Sequence, residues 1–175
     1  MNWKMTTYIL GRMLGVEALV LLLPAFVGVL YREPIEAFIL TGAILSVFFL
    51  LFGLRKPDDS TIYGKEGFII IACGWILWSI FGALPFYFSE AIPLYVDALF
   101  ETVSGFTTTG STILTDIEAL PKGMNFWRCL THWIGGMGVL VFVMVIVSLE
   151  EKNSMHLLRA EVPGPEKDKL VPKAR

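Results

Sequence analysis

The stretch ETVSGFTTTGSTIL, residues 101–114, gathers small hydroxyl side chains and glycines inside an otherwise apolar chain. Its second half, TTTGSTIL, offers no helix periodicity. Its chemistry is therefore that of the backbone, whose carbonyl oxygens must find partners. Irregular backbone at membrane depth is tolerated only where protein buries it or where it lines a water-filled cavity. Carbonyl dipoles turned toward a common axis replace the hydration shell of a desolvated cation. Gly110 supplies the dihedral that turns successive carbonyls the same way. Small Thr and Ser side chains let backbones crowd that axis and bond neighbouring groups.

That reading needs membrane on both sides of the stretch, and the composition provides it. Of the 175 residues, 55% are hydrophobic and 17% charged, against about a quarter charged in soluble domains. The apolar residues fall in four blocks, Tyr8–Leu30, Ile35–Leu54, Gly67–Phe88 and Phe126–Leu149. Each is close to the roughly 20 residues that cross about 30 Å of hydrocarbon as a helix. The first block is too long for the apolar core of a signal peptide and lacks a small-residue cleavage site. Cys73 and Cys129 form neither a disulfide framework nor a metal cluster.

Basic residues set the expected orientation. With the N-terminus inside, the inner segments hold Lys4, Arg12, Arg55, Lys56, Lys65 and the basic tail. The outer ones hold Arg32, Lys122 and Arg128, outnumbered by Glu33, Glu36, Glu90, Asp97, Glu101, Asp116 and Glu118. An electronegative outer face favours cations. Both ends of the chain are expected in the cytoplasm of a multi-pass cell-membrane protein.

The expected fold class is all-α membrane protein. Residues 1–54 form a hairpin of two spans, turned at REPIEA (32–37) with Pro34 at a helix start. A polar linker, 55–66, precedes a span over 67–88. In YVDALFETVSGF the apolar residues Val96, Leu99, Phe100 and Val103 recur at helical spacing and predict a short helix over 95–106. At 1.5 Å per residue it reaches about 18 Å, too short to span. It dips in, and the chain returns through 107–112 to a last span over 126–149. The negative end of the short helix then points at the ion. The Pro-containing polar tail, 150–175, reads as a linker to further sequence.

Three segments in order, KEGFIIIACGWILWSIFGALPFYFS, DALFETVSGFTTTGST and FWRCLTHWIGGMGVLVFVMVIV, resemble the Trk/Ktr/HKT potassium-uptake superfamily, most closely its TrkH-like subunits. The resemblance implies four repeats of helix, pore helix, filter loop and helix around one pore, preceded by two extra helices. Residues 8–54 match the extra pair and 67–149 the first repeat. The chain therefore reads as the N-terminal portion of a longer transporter, contributing one quarter of the filter. By the same resemblance Gly110 is the filter glycine. The backbone carbonyls of Thr108, Thr109, Gly110 and Ser111 line the K⁺ path, with Thr108 and Thr109 as metal ligands. The implied partners are the remaining repeats, a second copy of the full-length chain, a cytosolic nucleotide-binding regulatory subunit and the lipid bilayer. No cofactor and no nucleic acid is implied.

Other residues carry competing readings. Asp97 and Glu101 suit a cation-attracting vestibule, and Asp97 equally complements the dipole of the short helix. Glu17, an acid within a span, is a functional candidate by default, but the hairpin's place outside the pore module favours a passive role. His132 is either a pH-sensitive group or a hydrogen-bonding helix residue. The glycines of GGMG (135–138) leave room for the short helix, and Gly11 with Gly15 forms a G-x-x-x-G dimerisation signal. Ser104 with His132 suggests a Ser–His intramembrane protease, yet the hydroxyl-rich loop has no role in hydrolysis. A non-conducting regulatory membrane protein is the remaining alternative. It differs from the transporter in lacking three further filter loops downstream.

Overall fold

The computed structural model describes residues 2–57 and 64–138. The tail at 150–175, residues 58–63 of the linker at 55–66, and residues 139–149 of the span expected over 126–149 lie outside them.

Among the described residues every regular element is a helix. The first pass comprises α1 (Trp3–Val20) and α2 (Leu22–Tyr31), capped by the Asn2 side chain, which accepts from the Met5 N–H at 3.2 Å. The two are separated at Leu21 because Pro24 has no N–H to give to the preceding turn. Arg32, at φ 59°, ends α2 in the left-handed region, with its N–H on the Val29 carbonyl. The chain then returns through α3 (Glu36–Phe48) and one π-helical turn, Phe49–Gly53. Pro34 stands two residues ahead of α3 rather than within it.

The third pass is α4 (Gly64–Gly82) followed by α5 (Leu84–Phe88), with Pro85 in the first turn of α5. Next come the short helix α6 (Tyr95–Phe106) and, beyond the hydroxyl-rich loop, helix α7 over 122–138. Three apolar stretches have membrane-crossing length: Trp3–Tyr31, Glu36–Gly53 and Glu66–Phe88. Their surfaces expose Leu19, Leu22, Phe26, Leu30, Ile39, Leu51 and Ile76, which only a hydrocarbon surrounding accommodates at this density.

The G-x-x-x-G pair is used inside the chain. A Cβ on Gly11 would fall 2.7 Å from the Gly53 amide nitrogen, and one on Gly15 would strike the Phe49 ring. The missing side chains let α1 lie directly on the end of the second pass, so they serve the hairpin rather than a second copy.

The core joins hairpin and pore module: Leu21, Phe38, Leu45, Phe86, Phe106, Met124 and Trp127 are almost wholly buried. A second tie is polar. Glu33, in the hairpin turn, accepts from the amides of Lys122 at 2.7 Å and Gly123 at 2.9 Å. These are orphan donors at the start of α7, and a carboxylate there also meets the positive end of the helix dipole.

Candidate functional site

The hydroxyl-rich loop begins where α6 runs out of helix. The N–H groups of Thr107, Thr108 and Thr109 fold back onto the carbonyls of Val103, Gly105 and Ser104 at 2.9–3.0 Å. Thr108 takes φ 56° and Gly110 takes φ 76°. A left-handed conformation is ordinary for glycine and a strain for β-branched threonine, of the kind that collects at working sites. No residue type announces it: Thr108 looks in sequence like its neighbours, and the strain is set by the helix end before it.

Hydroxyls hold this backbone. Thr107 Oγ1 lies 2.8 Å from both the Val103 carbonyl and Thr109 Oγ1, and Ser104 donates to the Ser111 carbonyl at 2.6 Å. The carbonyls of Thr108, Thr109 and Gly110 accept no hydrogen bond from any described residue, and the loop is exposed from Thr107 to Ile113. Of the four expected ion ligands, three are thus free and Ser111 is partly engaged. No group of three His, Cys, Asp or Glu side chains suited to a metal occurs among the described residues. Backbone oxygen is what the loop has to offer a cation.

Below the loop is a rigid seat. Phe106, 1% exposed, closes α6 among Trp75, Trp78 and Trp127, with ring centroids at 5.8, 5.7 and 6.4 Å. Trp127 is fixed in turn by its indole N–H, which donates to the Gly82 carbonyl at 2.9 Å. Helix α7 approaches so closely that a Cβ on Gly135 would overlap the Phe106 carbonyl, and one on Gly105 would overlap Thr131. GGMG thus does leave room for the short helix, through Gly135.

Glu101 departs from the vestibule reading. It is 1% exposed, and its carboxylate accepts from Arg128 Nε at 2.5 Å, from Thr112 Oγ1 at 2.9 Å and from the Ile113 N–H at 3.3 Å. Helix α6, the far side of the loop and α7 therefore meet on one carboxylate. In the sequence Arg128 stands out only as an outer base. The signal that pairs it with Glu101 is that an acid on the buried face of a helix needs a cation. Asp97 lies half-buried in the first turn of α6, as dipole complementation requires.

Glu17 does not face away from the pore module. It is fully buried, neither oxygen has a hydrogen-bond partner among the described residues, and Oε1 lies 3.3 Å from where a Cβ on Gly82 would sit, beside Thr102 and Phe106. His132 Nδ1 is 2.9 Å from the Arg128 carbonyl of its own helix. With Ser104 bonded to Ser111, no hydrogen bond joins Ser104 to His132, and the protease reading loses its nucleophile–base pair.

The TrkH family, described as cation transport protein, matches residues 34–173. The Trk system potassium uptake protein TrkH of Salmonella typhimurium is 36% identical over 171 residues, covering 96% of this chain and 35% of the relative. An uncharacterized cation transporter of Methanocaldococcus jannaschii is 32% identical over 169 residues, covering 95% of this chain and 35% of the relative. The chain thus spans about a third of the length of these relatives. Among solved structures, the potassium transporter TrkH from Vibrio parahaemolyticus superposes with a TM-score of 0.75 at 29% identity, covering 84% of this chain and 32% of the other. Membrane-length helices, a sub-spanning helix seated on aromatic rings and a family match over most of the sequence agree: this multi-pass membrane chain belongs to the TrkH family of cation transport proteins, which are transporters rather than enzymes.

Proposed function

We propose that this chain is the N-terminal part of a potassium-uptake transporter and supplies one quarter of its selectivity filter. The observation that carries the reading is the run of three carbonyls, Thr108 to Gly110, that accept no hydrogen bond among the described residues, at the end of a helix too short to span. K⁺ would exchange water for these oxygens, with Ser111 at the edge, while the C-terminal end of α6 adds about half a negative charge. The membrane potential drives inward movement, at about 2.3 kcal/mol per charge per 100 mV. The other three quarters belong to further repeats of the longer transporter. A second full-length copy and a cytosolic nucleotide-binding subunit complete the system in the cell membrane.

The test is Gly110→Ser in the complete transporter. Within this chain a Cβ at Gly110 meets nothing within 4 Å, so here the substitution acts through φ 76°. Left-handed backbone costs an L-residue about 1–2 kcal/mol, which the loop escapes by turning its carbonyls. Preference for rubidium over Na⁺ should fall by about tenfold, 1.4 kcal/mol being one decade. Thr115→Ala, just beyond the filter, should leave it unchanged. Equal, unaltered selectivity in both variants at matched expression would remove the loop from the ion path.

Orientation follows the basic residues, with both ends of this chain in the cytoplasm. The hairpin turn at Glu33 and the start of α7 already share one end of the molecule. Single cysteines at Lys56 and Asp116, with Cys73 and Cys129 replaced, should react with an impermeant maleimide from opposite faces, Asp116 from outside. Labelling of both from one side would refute the four-span arrangement.

A further inference from the structure

Between α1–α2 and α3 runs a groove of about 480 Å³. Its walls are Leu19, Leu22, Ile39 and Phe49, and its floor is open at Gly42, where a Cβ would meet nothing within 4 Å. It extends along the first pass from Arg12 to Ala25, about 20 Å at 1.5 Å per residue. One leaflet offers about 15 Å of acyl chain, half of the 30 Å hydrocarbon core.

Of the two polar lining residues, Ser46 sits midway and Arg12 at one end. The Ser46 hydroxyl is already spent on the Gly42 carbonyl at 2.7 Å. Arg12 is exposed, lies over the Tyr8 ring at 5.9 Å and donates to the Tyr8 hydroxyl at 3.3 Å. It has no carboxylate partner among the described residues, and a guanidinium carries five N–H donors. The Gly11–Gly53 contact sets Arg12 level with the last turn of the second pass, just before exposed Arg55 and Lys56. That is the depth of lipid headgroups, and the three charged residues described there, Arg12, Arg55 and Lys56, are positive, before Asp58 and Asp59 in the linker.

We propose that this groove binds an anionic glycerophospholipid, one acyl chain lying between α1 and α3 and the phosphate held by Arg12. A second copy of the hairpin fits poorly. The hairpin's exposed acid, Glu36, lies at the opposite end from Arg12, so a second copy in the same membrane orientation brings Arg12 no carboxylate. The proposal is independent of the ion path.

The full-length protein, delipidated and titrated with phosphatidylglycerol or phosphatidylcholine, is read by native mass spectrometry. Phosphatidylglycerol should bind in preference. Arg12→Gln should weaken it about fivefold, the effect of one basic residue at a membrane surface. Arg12→Lys should retain most of the binding, and Lys4→Gln, equally basic but outside the groove, should change nothing. Gly42→Phe, or Gly42→Leu if the larger ring impairs folding, fills the floor and should abolish the bound lipid. Equal retention of the two lipids would overturn the proposal, as would indifference to Arg12→Gln or to the filled floor. Displacement by soluble glycerophosphate would reduce it to a bare anion contact. Concentration-dependent cross-linking of Ile39→Cys would assign the groove to a second copy instead.

Discussion

Arg128→Met is expected to leave the transporter poorly folded and without uptake, although Arg128 touches no ion. The substitution strands the Glu101 carboxylate at 1% exposure, where it joins α6 to Thr112 and Ile113 beyond the loop. Removing one partner of a buried ion pair costs about 3–5 kcal/mol, because the remaining charge keeps its desolvation penalty. The unfolding midpoint of the purified transporter, about three times this chain's length, should fall by about 3–5 °C on the usual scaling of free energy with temperature. The decisive variant is Arg128→Met with Glu101→Gln. Glutamine still accepts from Thr112 and Ile113 and carries no charge, so the pair should recover most of the midpoint that the single change loses. A double variant as unstable as the single one would show that Arg128 acts through something other than this carboxylate.

The second large effect concerns one methyl group. Gly135→Ala places a Cβ into the carbonyl of Phe106, the residue before the loop, and backbone cannot swing aside as a side chain does. Overpacking of this kind costs about 1–3 kcal/mol, occasionally more. Here the displacement passes directly into Thr107 and the carbonyls beyond. Rubidium uptake should be lost or made indifferent to Na⁺ even where protein reaches the membrane in normal amount. Gly136→Ala, one residue on, meets only Thr108 Cγ2 at an ordinary 3.9 Å and should transport as the parent does. If the two alanines behave alike, the close approach of α7 does not set the loop.

Much of the architecture was legible because it is written in periodicity and length. Val96, Leu99, Phe100 and Val103 marked a short helix, and the observed helix runs Tyr95–Phe106. Apolar blocks of membrane length mark four passes; three are observed, at Trp3–Tyr31, Glu36–Gly53 and Glu66–Phe88, and the fourth runs beyond the described residues. What stayed hidden depends on contacts far apart in sequence. Glu101 and Arg128 are 27 residues apart, and Glu33 and Lys122 are 89 apart. No local pattern couples such pairs; only the packing of α6, α7 and the hairpin turn does. Gly11 and Gly15 misled for a related reason. Small residues announce that a helix will be approached closely without saying by which neighbour. Glu17 was placed by the rule that the hairpin lies outside the pore module, but the hairpin leans on that module through Gly82 and Phe106.

The carboxylate of Glu33 on the amides of Lys122 and Gly123 also bears on how the protein is made. A chain emerging at about 5–20 residues per second produces Glu33 roughly 4–18 seconds before its partners, which lie 89 and 90 positions later. The whole hairpin, which ends at Gly53, is synthesised before α7, so its turn holds an acceptor before its partners exist. When α7 arrives, its first amides find a charge already waiting. The hairpin is thus an assembly jig for the module that follows, and a late-made helix acquires its depth in the bilayer from an early-made turn.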